Sequence, residues 1–435
     1  MEGREPAAGD LRGPDPRPAA AGLADREVRP AGLGRGDLRG DPREGPGRRQ
    51  HPEERRAGGS RRGPHPGHAR PDPEVLLLLP RRGLRTDRRP VVVKILIPTR
   101  NRPTALRGLL EYLARFYPGA DVFVADGSHP EFQPQNEAYV KSLQESGAPH
   151  VEYQAFHHDI SLFERLSTVL QSLDSEFVSL CADDDYPVVE TLEQAERRLA
   201  ETPGAMFAGG HLVHININST RSSVARLDAV RDLTSDDVLE RLTMFGAFPF
   251  TTSYGVARRE LLIERYAFLQ TWTSTSFFDL AVGLTDLIQG KFVGVPEFAF
   301  LCTRNEVHSY YRPEDGLAYL RNAGKVLDLN DRLVQRLVDA GCEPERTSQV
   351  VGSVVARRLA GVVGHPPFRL VGFRETYPYA TPGMDHARAK FADLFVEGTP
   401  ERERYAERLQ FISDNVRRIL ESTDNAGEAA VYGTL

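Results

Sequence analysis

Phe177-Val178-Ser179-Leu180-Cys181-Ala182-Asp183-Asp184-Asp185-Tyr186-Pro187 decides how the rest of the chain is read. An apolar run with the length of a buried strand ends in three consecutive carboxylates, and a proline follows. Three acids at one strand end repel each other at close range. The arrangement is tolerable when a divalent cation sits among them and takes their oxygens as ligands. A solvated acidic turn leading into the helix that starts near Val188 is the plainer reading, and the stretch alone does not separate the two.

Upstream, the sequence alternates in a regular way. Val91 to Ile97 is apolar except for Lys94 and reads as a buried parallel strand that Pro98 ends. In the loop Thr99-Arg100-Asn101-Arg102-Pro103, Asn101 is the expected helix cap and Pro103 falls in the first turn. Leu106, Leu109, Leu110 and Leu113 then recur at helical spacing. Asp121 to Ala125 is a second strand, closed by the turn signal Asp126-Gly127-Ser128. A weaker helix from Gln135 to Glu145 and a third strand from Val151 to Phe156 follow. Leu162, Leu166, Val169, Leu170 and Leu173 mark the helix that leads into Phe177. Alternating strands and helices with short connections predict an α/β fold with a mostly parallel, doubly wound sheet. Ligands of such sheets bind beyond the carboxyl ends of the strands, which places Arg100, Arg102, Asp126 and the three acids on one rim.

Downstream of the acids, Thr191 to Ala200 reads as a helix, and Met206 to Ile217 as a strand broken at Gly209-Gly210. The alternation then becomes irregular. Leu233 to Phe245 is expected to be helical, Ser253 to Ala257 extended, Phe277 to Ile288 helical and Phe292 to Cys302 a strand. Beyond Pro313 the periodicity is helical over Leu317 to Leu337, Val350 to Val363 and Tyr405 to Ile419. There is no internal repeat and no Gly-rich phosphate loop.

The first 90 residues differ in kind. They hold 20 Arg and no Lys against 14 Asp plus Glu, with 14 Pro and 15 Gly but no Phe, Tyr, Trp or Ile. Nothing in them builds a core, so the segment is expected to be disordered. Its composition also fits a GC-rich upstream region read from a start codon placed too early, with Val91-Val92-Val93 as the alternative beginning. The arginines are interleaved with acids and lack aromatic partners for base stacking, which argues against a nucleic-acid-binding arm. The domain boundaries are therefore drawn at 1–90, 91–312 and 313–435, the last a helical region that can pack on the sheet, form a homo-oligomer or meet a partner. The chain as a whole carries a formal charge of −6. Val75 to Leu79, its only run resembling a targeting signal, is too short for a signal-peptide core or a membrane span. Cys181, Cys302 and Cys342 show no metal or redox spacing, which suits a reducing, cytoplasmic setting.

The segment Val93-Lys94-Ile95-Leu96-Ile97-Pro98-Thr99-Arg100-Asn101-Arg102-Pro103, followed by Asp126-Gly127-Ser128 and by Ala182-Asp183-Asp184-Asp185-Tyr186, resembles the nucleotide-sugar domain of GT-A glycosyltransferases of the family 2 type. The resemblance covers roughly residues 91 to 310. It implies a GT-A, Rossmann-like catalytic domain and a hexosyl-type transfer from a nucleotide diphosphate sugar to an acceptor hydroxyl. The acceptor class, whether glycan, lipid-linked or small molecule, is left open. The resemblance also implies a divalent metal, Mg2+ or Mn2+, at the Asp-x-Asp signature, which Asp183 and Asp185 match. Aligned one residue earlier, the relatives' Asp-Ala-Asp-Asp pattern puts Cys181 at its first acid and leaves Asp183 as the principal ligand.

Further roles follow from the same likeness. Donor contacts fall on Thr99, Arg100, Arg102, Asp126, Arg165, Asp183, Asp184 and Arg304. For Asp126 the alternative is an acid capping its own turn, for the two loop arginines surface ion pairs, and for Arg165 a structural ion pair. Inverting transfer needs a general base, and Asp279 in the first turn of its helix fits, with Asp286 as fallback. The alternative for Asp279 is a first-turn acid stabilised by the helix dipole. His308 resembles a distal metal or phosphate ligand. His157 and His158 beside Asp159 are not expected to share an ion, because neighbours on an extended segment point to opposite sides. Two rival functions remain. One is a nucleotidyltransferase, which usually carries a Gly-rich loop where this chain has Arg100-Asn101-Arg102. The other is a non-catalytic nucleotide-sugar binding module.

Overall fold

The computed structural model describes residues 93–146, 149–217, 222–247, 250–272, 278–304, 323–363 and 382–421. The chain divides into two units, Met1–Gly83 and Leu84–Leu435. All described residues belong to the second, so the expectation of disorder over 1–90 lies outside them.

Nine strands form one sheet. They are β1 (Lys94–Thr99), β2 (Asp121–Asp126), β3 (His150–Ala155), β4 (Phe177–Leu180), β5 (Asp185–Pro187), β6 (Ala205–Ile217), β7 (Ser222–Asp228), β8 (Val256–Arg258) and β9 (Lys291–Arg304). The order across the sheet is β3-β2-β1-β4-β8-β6-β9-β5, with β7 paired to β6. The β3-β2-β1-β4 segment is parallel throughout. Antiparallel β8 links β4 to β6, so β6 and its parallel neighbour β9 run in the direction of the first four. Only β5, β7 and β8 run the other way. The mostly parallel, doubly wound α/β architecture expected above is what the chain adopts.

Alternation along each strand builds the layers, since successive side chains face opposite sides of a sheet. Ile95 and Ile97 of β1 and Val122 and Val124 of β2 face one core. Leu96, Phe123 and Ala125 face the other. The first core is covered by α1 (Pro103–Phe116), α4 (Val189–Glu201) and α11 (Pro400–Glu421). The second is covered by α3 (Leu162–Ser172), α5 (Val238–Ala247), α6 (Arg259–Trp272), α7 (Phe278–Gln289), α8 (Ala323–Asp339) and α9 (Pro344–Val363). The C-terminal helices are thus shared between both faces of the sheet. In α11, Asn415 Nδ2 donates to the buried Tyr186 hydroxyl at 2.6 Å, one residue beyond the acidic cluster. Two more helices, α2 (Gln133–Ser146) and α10 (Pro382–Asp393), complete the described set.

Three local expectations are corrected. Pro98 does not end β1, which continues to Thr99. Leu96 O takes the Cys181 N–H, so the nitrogen of Pro98, two residues on, faces the side where β4 has already ended, and its missing N–H forfeits no ladder bond. Asn101 does not cap α1. Arg102 is the N-cap residue, and Asn101 sits in the left-handed region with φ 56°, its Oδ1 accepting the His129 N–H at 2.8 Å. Gly209-Gly210 does not break β6. A Cβ at Gly210 would lie 2.4 Å from Glu297 O, so glycine lets β6 and β9 approach where their register slips between Gly209 and His211.

Candidate functional site

Strands β1 and β2 end side by side at Thr99 and Asp126, and β4 ends beside β1 at Leu180, the partner of Leu96, so the three strands end at one edge of the sheet. After Leu180 the chain reverses, with Asp185 N–H donating to Ala182 O at 3.2 Å. It re-enters the sheet as β5, where Asp185 pairs with Cys302 of β9. This reversal divides the three acids between two surroundings. Asp183 accepts from Thr99 Oγ1 at 2.7 Å and from Arg102 Nη1 at 2.6 Å. Arg102 Nη2 reaches Asp184 Oδ2 at 2.6 Å, so one guanidinium forks across two neighbouring carboxylates. Asp185 points toward β9: its Oδ1 accepts the Thr303 N–H at 2.8 Å, and its Oδ2 accepts the Tyr254 hydroxyl. Thr303 Oγ1 also donates to Asp184 O at 2.7 Å.

Asp183 is 2 % exposed and Asp185 7 %. Burial pushes the Asp183 carboxyl up to about 6, with Arg102 opposing the rise and Asp184 adding to it. Burial and then the Asp184 charge push Asp185 up to about 8, against the Tyr254 and Thr303 hydrogen bonds. Burial is the first cause of both rises, and the Asp184 charge adds to each. The hard carboxylate oxygens of the cluster suit Mg2+ or Mn2+ as a donor set. Cys181 takes no part: its buried thiol donates to Asp185 O at 3.3 Å, and burial holds its pKa well above the usual thiol range.

Asp126 is fully buried. Its Oδ1 accepts the Ser128 N–H at 2.8 Å, and its Oδ2 accepts Asn136 Nδ2 at 2.7 Å and the Tyr153 hydroxyl at 2.8 Å. The carboxylate thus organises its own turn and anchors α2 and β3 to it. Arg165 lies on α3, 3 % exposed, and its Nη1 donates to Thr99 O at 2.8 Å. A Cβ at Gly127 would sit 1.7 Å from that Nη1, so the glycine makes room for the guanidinium between the β1 and β2 ends. Arg100 is half-buried on the same loop, and its buried Nε has no hydrogen-bond partner among the described residues.

Asp279 is half-buried in the first turn of α7, 3.4 Å from Ser253 Oγ. Ser253 is the neighbour of Tyr254, so one short loop touches both Asp279 and Asp185. The fallback Asp286 is excluded as a base: it is 0 % exposed, with Arg265 Nε and Nη2 at 2.8 and 2.6 Å on its two oxygens. Arg304 ends β9 opposite Asn216. Its side chain and the whole of His308 lie outside the described residues. His157 and His158 also differ from expectation. Ile160 N–H donates to His157 O at 3.0 Å, so the pair occupies a turn and the two rings lie together, centroids 4.4 Å apart.

Sequence reasoning missed Tyr254, Thr303 and Asn136. None sits in a recognisable motif, and Tyr254 and Thr303 reach Asp185 only through strand pairings formed across 69 and 118 residues.

No protein-family model matches the chain, and no curated protein matches it by sequence. Among solved structures, residues 1–349 of TarS from S. aureus are similar at 16 % identity, covering 76 % of this chain and 90 % of that one, with a TM-score of 0.42. The same fragment in complex with UDP-GlcNAc gives 16 %, 76 %, 91 % and 0.43. The mannosyltransferase PcManGT from Pyrobaculum calidifontis, in complex with GDP-Man and Mn2+, gives 15 %, 78 %, 89 % and 0.40. At this level of likeness neither substrate nor chemistry transfers to the present chain.

Proposed function

We propose that the chain is a metal-dependent glycosyltransferase that moves a sugar from a nucleotide diphosphate donor to an acceptor hydroxyl with inversion. The observation that carries this reading is the excess of buried carboxylate at the strand-end rim, where Arg102 forks across Asp183 and Asp184 beside the Arg100 loop. Asp183 is the principal metal ligand, with Asp185 and His308 completing the set, and Asp184 holds Arg102 in place. A bound divalent cation supplies Lewis-acid stabilisation of the charge that develops on the departing diphosphate. Thr99 fixes the Asp183 carboxylate, Arg165 holds the start of the loop on which Arg100 and Arg102 meet the donor, and Asp126 holds the turn beside it. Arg304 adds a phosphate contact. Asp279 takes the proton of the acceptor hydroxyl as that oxygen attacks the anomeric carbon from the face opposite the leaving group. The acceptor enters from the side of the Ser253-Tyr254 loop.

A second reading draws on the same cluster. Each acid already has a protein partner, which also suits a non-catalytic module that binds a nucleotide sugar without turnover. The separating experiment incubates the protein with a panel of nucleotide sugars and Mn2+ and follows release of nucleoside diphosphate. Metal-dependent release or transfer is expected, with Asp279→Asn retaining donor binding and losing about 10²–10⁴-fold in turnover. Donor binding without turnover supports the module. Absence of both binding and turnover with every donor sinks the transferase, and release of pyrophosphate from a nucleoside triphosphate points to a nucleotidyltransferase.

A further inference from the structure

The turn that follows β3 brings together a second set of ligand atoms, chemically unlike the acid cluster. His157 Nδ1 lies 3.5 Å from Asp159 Oδ2, and His158 Nε2 lies 3.3 Å from Asp159 Oδ1. One ligand atom from each of the three residues falls within 4.8 Å of the others. Both separations exceed the ~2.7–3.2 Å of a good N–H···O hydrogen bond. Each imidazole faces a different oxygen of the one carboxylate, and His157 Nδ1 also accepts the Asp159 N–H at 3.4 Å. A third imidazole is close by. His129, on the loop after β2, stacks on His158 with centroids 4.6 Å apart and rings inclined by 39°.

The other group of this kind among the described residues, Asp121 with His150 and Glu152, differs in a telling way. There the Lys94 ammonium already sits between the carboxylates, 2.5 Å from Asp121 and 2.7 Å from Glu152. Asp159 has no Lys or Arg partner among the described residues, and its neighbours are the two imidazoles.

We propose that His157, His158 and Asp159 bind a divalent metal of the zinc class, with His129, which lies beside His158 but outside the group of atoms within 4.8 Å, turning in as the fourth protein ligand. Imidazole nitrogens select Zn2+, Co2+ or Ni2+ over Mg2+, so the site is chemically separate from the carboxylate cluster. Bound metal ties the loop after β3 to the loop after β2. Because His129 N–H is held by Asn101 Oδ1, the clamp reaches the segment that carries Arg100 and Arg102. The inference does not depend on the transferase reading.

The test is calorimetric titration of the full chain, stripped with a chelator, with zinc chloride in excess Mg2+. One zinc per chain is expected. His157→Ala and His158→Ala should each weaken binding by more than about tenfold, their combination should abolish it, and Asp183→Asn should leave it unchanged. Co2+ should give the intense visible absorption of a tetrahedral site, and His129→Ala should alter that spectrum. Absence of saturable zinc binding overturns the proposal, as does equal stoichiometry and affinity in the double variant. An unchanged cobalt spectrum in His129→Ala overturns the fourth ligand. Far-UV circular dichroism of each variant separates lost binding from lost fold, and His157, whose side chain is 65 % exposed, is the substitution least able to disturb it.

Discussion

Arg265 and Asp286 meet one to one between α6 and α7, whereas at the rim of the sheet Asp183 and Asp184 share a single forked guanidinium and Asp185 has, among the described residues, only the Tyr254 hydroxyl and the Thr303 N–H. Both sets are buried, and burial raises a carboxyl in each: Asp286 to about 6 with Arg265 opposing, Asp183 to about 6 and Asp185 to about 8. The sources of the rise differ. At Asp286 the sole like-charge cost is absent and both oxygens are matched by one planar partner. At the rim, Asp184 adds its own repulsion to the burial of both neighbours. A closed pair holds helices together, while the cluster short of positive charge is where we propose that a cation binds.

Removing one charge from each cluster should have opposite consequences, and the widest gap is expected at the closed pair. Arg265→Met leaves Asp286 buried without its counterion and should destabilise the fold by about 3–5 kcal/mol, read as a lower urea midpoint. Asp183→Asn should leave the urea midpoint of the metal-free chain unchanged or raised, because it relieves repulsion. It should weaken Mn2+-dependent donor binding by more than about 100-fold, beyond the usual cost of removing a ligand's outer partner. If Asp183→Asn instead destabilises as Arg265→Met does, the rim cluster is a structural network and the comparison fails.

A smaller effect is expected where rim and core meet. Asn415→Ala removes the 2.6 Å bond to Tyr186 and leaves a buried hydroxyl unpaired, at a cost of about 1–3 kcal/mol by urea titration. The pH dependence turns on the rim cluster alone. Asp183 and Asp185 have folded pKa values of about 6 and about 8, against roughly 3.9 in an unfolded chain. The folded state therefore holds extra protons above pH ~4, and stability of the metal-free protein should fall as pH rises toward 8. Mn2+ binds the deprotonated acids, so its affinity should rise over pH 6 to 8 and it should flatten the stability profile. Asp185→Asn should remove the upper part of that window.

The same contrast explains which elements were legible. The strands β1, β2 and β4 and the helices α1 and α3 announce themselves because each buries a local apolar pattern, as Ile95, Ile97 and Leu96 do on the two faces of β1. The helix α6 was missed: Arg265 interrupts its apolar face, and it makes sense there only once Asp286 of α7 is placed against it. β5 and β7 were missed because their short runs have no periodicity of their own and exist as partners of β9 and β6. His157 and His158 were read as extended because no residue type marks the turn that folds them together.

By itself the sequence determined the alternation, the parallel sheet and the placement of Asp183, Asp184 and Asp185 at the end of its fourth strand, because burial patterns and chain breaks are properties of neighbouring residues. The three acids that opened the reading look equivalent there. Tertiary structure alone decided that Asp183 and Asp184 face Arg102 while Asp185 turns to Tyr254 and Thr303, and that the buried Cys181 thiol donates to Asp185 O. Those assignments depend on which strand pairs with which, and in what register, across a hundred residues of chain.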